Sequence, residues 1–134
     1  MTLWLVDMPT ATLAIPPATE HVRLARLVAS AAARRGGVSE DILDELRQAV
    51  GEACARAVLR HQDALSSAEI RIEMEDLPDR FQVRVFDQVQ GVDNSDPVDA
   101  MALAIISSLA AQSAVEPVGA GTLVEMSWPT QNAA

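Results

Sequence analysis

The chain has 134 residues, 49% of them hydrophobic, which suits one buried core and one domain spanning residues 1–134. A formal charge of −9 gives nucleic-acid backbones and anionic membranes nothing to hold, since both need a basic patch. All ten basic residues are arginine, which excludes a lysine-dependent Walker loop, and the single cysteine, Cys54, can form neither an internal disulfide nor a thiolate zinc site.

With two Trp, two Phe and no Tyr, the core must be aliphatic, and an aromatic RNA-binding platform is excluded. No run of 18 apolar residues occurs, and the N-terminus lacks the basic region and apolar run of a signal peptide. A cytoplasmic protein is expected.

The alternating segment Thr10 to Ile15 predicts a first strand, closed by Pro16-Pro17. Thr19 is then the expected cap of a helix from about Glu20 to Arg35, which Gly36-Gly37 stops. Ser39, Glu40 and Asp41 open a second helix to about His61, whose apolar positions Ile42, Leu46, Ala49, Val50, Ala53, Ala57 and Val58 follow a helical period. From Ala68 the period falls to two. Ile70, Ile72 and Met74 form one strand, Phe81, Val83 and Val85 the next, and Leu77-Pro78-Asp79-Arg80 the turn between them. After a polar loop, Gln88 to Asp96, Pro97 opens a third, apolar helix read as core packing to Ser113, and Gly119 and Gly121 release a last strand, Thr122 to Trp128. The order β-α-α-β-β-α-β predicts a two-layer α/β sandwich: a mixed, mostly antiparallel sheet with about three helices on one face and an ordered core at about 10–129.

The second helix carries Leu46-Arg47-Gln48-Ala49-Val50-Gly51-Glu52-Ala53-Cys54-Ala55-Arg56-Ala57-Val58, which resembles the N-box of the GHKL, or Bergerat-fold, ATPases and most nearly their anti-sigma serine-kinase branch. That box has a Glu that activates the nucleophile and, four residues on, an Asn that binds magnesium; the spacing puts both on one helix face. Here Glu52 matches the first, and Arg56 replaces the second. The family's adenine box, Asp-x-Gly-x-Gly, corresponds to Asp87-Gln88-Val89-Gln90-Gly91, with Val89 replacing the middle glycine. Its triphosphate motif, Gly-x-Gly, corresponds to Ala100-Met101-Ala102, and the lid before it is short. Its closing Gly-Thr, whose hydroxyl supports the adenine-reading Asp through water, corresponds to Gly121-Thr122.

The resemblance implies a homodimer that binds a sigma factor, a STAS anti-anti-sigma protein, or both. It also implies an ATP or ADP site formed by Asp87, Gly91, Thr122, Arg56, Ala100 and Ala102, with Glu52 as catalytic base. The replacements at Arg56, Ala100 and Ala102 strike the magnesium and triphosphate end. The expectation is therefore a partner-switching regulator with weak or absent nucleotide binding, no magnesium, and impaired or lost kinase activity. The alternative is an active serine kinase that phosphorylates a STAS-domain antagonist.

Each residue also has a plainer reading. Glu52 and Arg56 have the spacing of a helical ion pair. Asp87 can cap its own turn. His21 and His61 read as surface histidines, Cys54 as an inert packed thiol, and Asp87, Asp93, Asn94, Asp96 and Asp99 as a solvated acidic stretch without the pattern of an EF-hand. Met101 is the residue of the third helix available to a partner surface.

Overall fold

A computed structural model of the chain describes residues 10–91 and 96–131. The described residues form β1 (Thr10–Ile15), α1 (Val22–Arg35), α2 (Glu40–Asp63), β2 (Ile70–Asp76), β3 (Arg80–Asp87), α3 (Pro97–Leu109), β4 (Gln112–Val118) and β5 (Gly121–Pro129). The strands make one five-stranded sheet in the order β1-β2-β3-β5-β4, antiparallel at every ladder. This is the expected two-layer sandwich.

Alternation decides the two faces of the sheet. Ile70, Ile72 and Met74 of β2, Phe81, Val83 and Val85 of β3, and Val124, Met126 and Trp128 of β5 are buried in one cluster with Ala25, Ala29 and Ala33 of α1 and Leu43, Leu46, Val50 and Ala57 of α2. The small residues of α1 let it lie close to α2 and the sheet. The opposite face carries charge, with Arg84 reaching both Glu73 and Glu75 across the strands.

Three local expectations are corrected. A 3-10 turn, Thr19–His21, precedes α1, and no side chain caps either start; Pro16 and Ala18 already form a turn, so Thr19 lies inside the bend and not ahead of the helix. The third helix ends at Leu109 and not Ser113, and Gln112–Val118 is a strand. All seven of its residues are exposed, so its sequence shows no alternation, and Pro117 further masks it as a strand. Finally, α3 is not core packing along its length: it buries Asp99 and Ile106, while Val98 and Met101 are exposed. Asp93 and Asn94 lie outside the described residues.

Candidate functional site

The end of β3 is where the chain collects its buried charge. Asp87 is the last residue of β3, and the antiparallel register sets it directly opposite Thr122 of β5. That approach depends on Gly121. A Cβ there would stand 1.8 Å from the backbone oxygen of Asp87, so only glycine lets β5 pass so near.

Both oxygens of the Asp87 carboxylate are engaged by the protein. Oδ1 accepts the backbone N–H of Val89 at 3.0 Å and that of Thr122 at 3.2 Å. Oδ2 accepts the Thr122 hydroxyl and, at 3.0 Å, the Arg60 Nε. Thr122 thus contacts the Asp87 carboxylate directly, and the turn-capping reading of Asp87 is present in the same carboxylate.

Arg56 and Arg60 project from one face of α2, one helical turn apart. Arg56 is buried, at 4% exposure, and forks onto Asp99: its Nε meets Oδ1 at 2.6 Å and its Nη2 meets Oδ2 at 3.3 Å. Its Nη1 also lies 3.7 Å from Asp87 Oδ2. The expected helical pair with Glu52 is not formed among the described residues; Arg56 is instead engaged by a doubly hydrogen-bonded carboxylate inside the protein, the stronger arrangement. Asp87 and Asp99 are likewise buried and paired, not solvated as the acidic stretch suggested.

Arg60 reaches further along the loop. Its Nη2 donates to the carbonyls of Val89 and Gly91, each at 2.7 Å, and the Gly91 backbone has a positive φ of 86°. With its bond to Asp87, this arginine holds both ends of the Asp87–Gly91 segment.

The start of α3 is closed from within. Asp96 caps the helix, its Oδ1 accepting Val98 N–H at 2.9 Å and Asp99 N–H at 3.4 Å, and its backbone oxygen accepts Ala100 N–H at 3.0 Å. These amides are the ones a helix N-terminus would otherwise offer to an anion. Ala100 is exposed, whereas Ala102 lines a small cavity with Arg56, Arg60, Asp96 and Asp99.

His61 is fully buried, which corrects its surface reading; His21 is half-buried. The His61 Nε2 accepts the Gln88 N–H at 3.0 Å, anchoring the residue after Asp87. Burial pushes the imidazole pKa below 6.5, against an upward pull from Asp87. Cys54 is buried and its thiol is pushed up to about 12, so it is unreactive at neutral pH.

Glu52 stands apart from this cluster. It is half-buried in an open groove of about 620 Å³ between α1, α2 and α3, shared with Arg23, Arg26, Gln48 and Ile105. Gly51 makes room there, since a Cβ on it would come within 2.8 Å of the Arg26 Cδ.

The structure therefore brings together Asp87, Thr122, Arg56, Gly91 and Ala102, and leaves Glu52 and Ala100 at the margins. Sequence reasoning passes over Arg60, and it reads Asp96 and Asp99 as solvated and His61 as a surface residue, where the structure makes all four part of the cluster. The helical repeat from Arg56 to Arg60 was a usable signal, and so was the run Asp96-Pro97-Val98-Asp99, which has the form of a capped helix start.

Residues 15–128 match the sequence model described as the histidine kinase-like ATPase domain. The chain is 34% identical over 79 residues to the serine-protein kinase RsbW of Bacillus velezensis, an alignment covering 59% of this chain and 49% of the relative. It is 36% identical over 76 residues to the serine-protein kinase RsbW of Listeria innocua, covering 57% of this chain and 48% of that protein. The chain thus spans about half the length of the curated relatives it matches. Among solved structures, one of the RsbU and RsbW domains of a Mycobacterium tuberculosis protein superposes with a TM-score of 0.70 at 15% identity, over 93% of this chain and 33% of that one. At that identity the likeness is one of fold.

Proposed function

The chain belongs to the histidine kinase-like ATPase domain family, and on that premise we propose that it is a regulatory module of an anti-sigma, partner-switching system that works by binding protein partners and not by turning over nucleotide. The partners in this reading are a sigma factor, a STAS anti-anti-sigma protein, or both. The observation that carries it is the filling of the Asp87 carboxylate by four donors of the chain itself: Val89 N–H, Thr122 N–H, the Thr122 hydroxyl and Arg60.

The residues present do not fit a magnesium-bound triphosphate. A fixed guanidinium, Arg56, replaces a neutral metal ligand, and its charge repels a divalent cation. The first amides of α3 are already capped by Asp96, so they are not free to receive a phosphate oxygen, and Asp96 adds negative charge at that helix start. Ala100 and Ala102 add side-chain volume in place of the expected glycines. What remains is a scaffold with an acidic exterior, suited to meeting basic protein surfaces.

Capture from native cell extract with the purified chain, followed by mass spectrometry, tests this reading. The expected outcome is retention of a sigma factor or STAS-domain protein to the same extent with and without magnesium and ATP. Retention of neither contradicts it.

A second reading, an active serine kinase, is favoured by the names of the relatives, which are serine-protein kinases, and by the open groove in front of Glu52. In that reading Glu52 is the base for a partner hydroxyl. Magnesium-dependent phosphorylation of a STAS protein, abolished in Glu52→Ala, would establish it and displace the first.

A further inference from the structure

We propose that Arg60, together with Arg56, serves as a built-in ligand: the two guanidinium groups hold the Asp87–Gly91 segment and the start of α3 in a single closed state, making this end of the fold indifferent to nucleotide. The inference rests on reading the Asp87–Thr122 pair as the former adenine end of the site.

Two separate pieces of backbone, the Asp87–Gly91 segment and the first turn of α3, meet the two arginines. Arg60 joins Asp87 to the carbonyls of Val89 and Gly91, and so fixes a loop that has no strand partner of its own. Arg56 joins the end of β3 to the first turn of α3 through Asp87 and Asp99. A bound ligand makes the same kind of link, bridging groups that are close in space and distant in the chain, and it adds its binding energy to the closed state. Here the bridging groups are covalently part of α2, so the closed state needs no added molecule. The guanidinium fork suits this task because its planar set of donors can serve a carboxylate and carbonyls together.

Arg60 is accordingly a positioning residue, acting through Asp87 and the loop carbonyls. Arg60→Lys keeps the charge but lacks the fork, so it separates charge from geometry.

Hydrogen exchange of the full chain, resolved by amide, tests this. In Arg60→Ala the amides of Val89 and Thr122, and in Asp99→Asn those of Val98 and Asp99, are expected to exchange about tenfold faster or more, while those of Ile72 and Met74 stay unchanged. Arg60→Lys is expected to fall between parent and Arg60→Ala. Millimolar ADP or ATP, with or without magnesium, is expected to leave the parent pattern unaltered. Unchanged exchange at Val89 and Thr122 in Arg60→Ala overturns the proposal, as does slowing of these amides in the parent by either nucleotide. Asp99→Asn retains Arg56 and its contact with Asp87 and weakens only the tie to α3, so it tests that second link separately with a neutral, isosteric change, and unchanged exchange at Val98 in this variant also overturns the proposal. Partner capture is independent of this readout: its failure would remove the regulatory reading and leave the exchange result standing.

Discussion

The Arg56 guanidinium and the Asp99 carboxylate, 43 positions apart in sequence, form a forked pair at 2.6 and 3.3 Å, with both residues under a tenth exposed. The pair ties the middle of the longest helix to the first turn of α3. A buried pair of this kind is weak evidence of net stabilisation, but breaking it from one side is costly, because the other charge is left stranded.

Asp99→Ala should therefore destabilise the fold by about 3 kcal/mol, the lower end of the range for breaking a buried ion pair, since Asp87 remains near Arg56. Urea denaturation measures this. The double variant Arg56→Leu with Asp99→Ala should be less destabilised than the sum of the single changes, because it leaves no stranded charge.

Gly121→Ala is expected to be among the most damaging single substitutions. The new methyl would lie 1.8 Å from the Asp87 carbonyl oxygen, a backbone atom that cannot swing aside. Separating β3 from β5 there breaks the Thr122 contacts to Asp87 as well. A loss of about 3 kcal/mol or more is expected, read as a lowered urea midpoint or as failure to fold.

His61 sets an acid limit on stability. Its folded pKa lies below the ordinary 6.5 because burial disfavours the charged ring, so below that pH the unfolded chain binds the extra proton more readily. The contribution from His61 is thus full above pH 6.5 and is lost as pH falls through that value toward the folded pKa. Protonation also removes the acceptor for Gln88 N–H. Comparing urea stability at neutral and mildly acidic pH, His61→Gln should show a shallower decline than the parent.

The sequence was most legible where periodicity and burial agree. The alternation of β2 and β3 and the long apolar stripe of α2 led directly to the sandwich, and the Asp87–Thr122 pairing followed from the resemblance. β4 was hidden because an edge strand exposed on both faces has no pattern to read. The charge pairing at the site is illegible in the sequence for a different reason. Glu52 is the nearest partner of Arg56 along the helix, but the pairing is decided by three dimensions, where Asp99 arrives from another element and offers a buried carboxylate. His61 reads as a surface residue at a helix end because nothing local signals that Gln88, 27 positions further on, packs against it after β3.

Calorimetric titration of the purified chain with ATP and with ADP, each with and without magnesium, addresses the self-filled site most directly. With Asp87 engaged by Arg60, Val89 and Thr122, and with Arg56 held by Asp99, the expected result is no saturable heat up to millimolar nucleotide. Saturable, magnesium-dependent binding of ATP would contradict it.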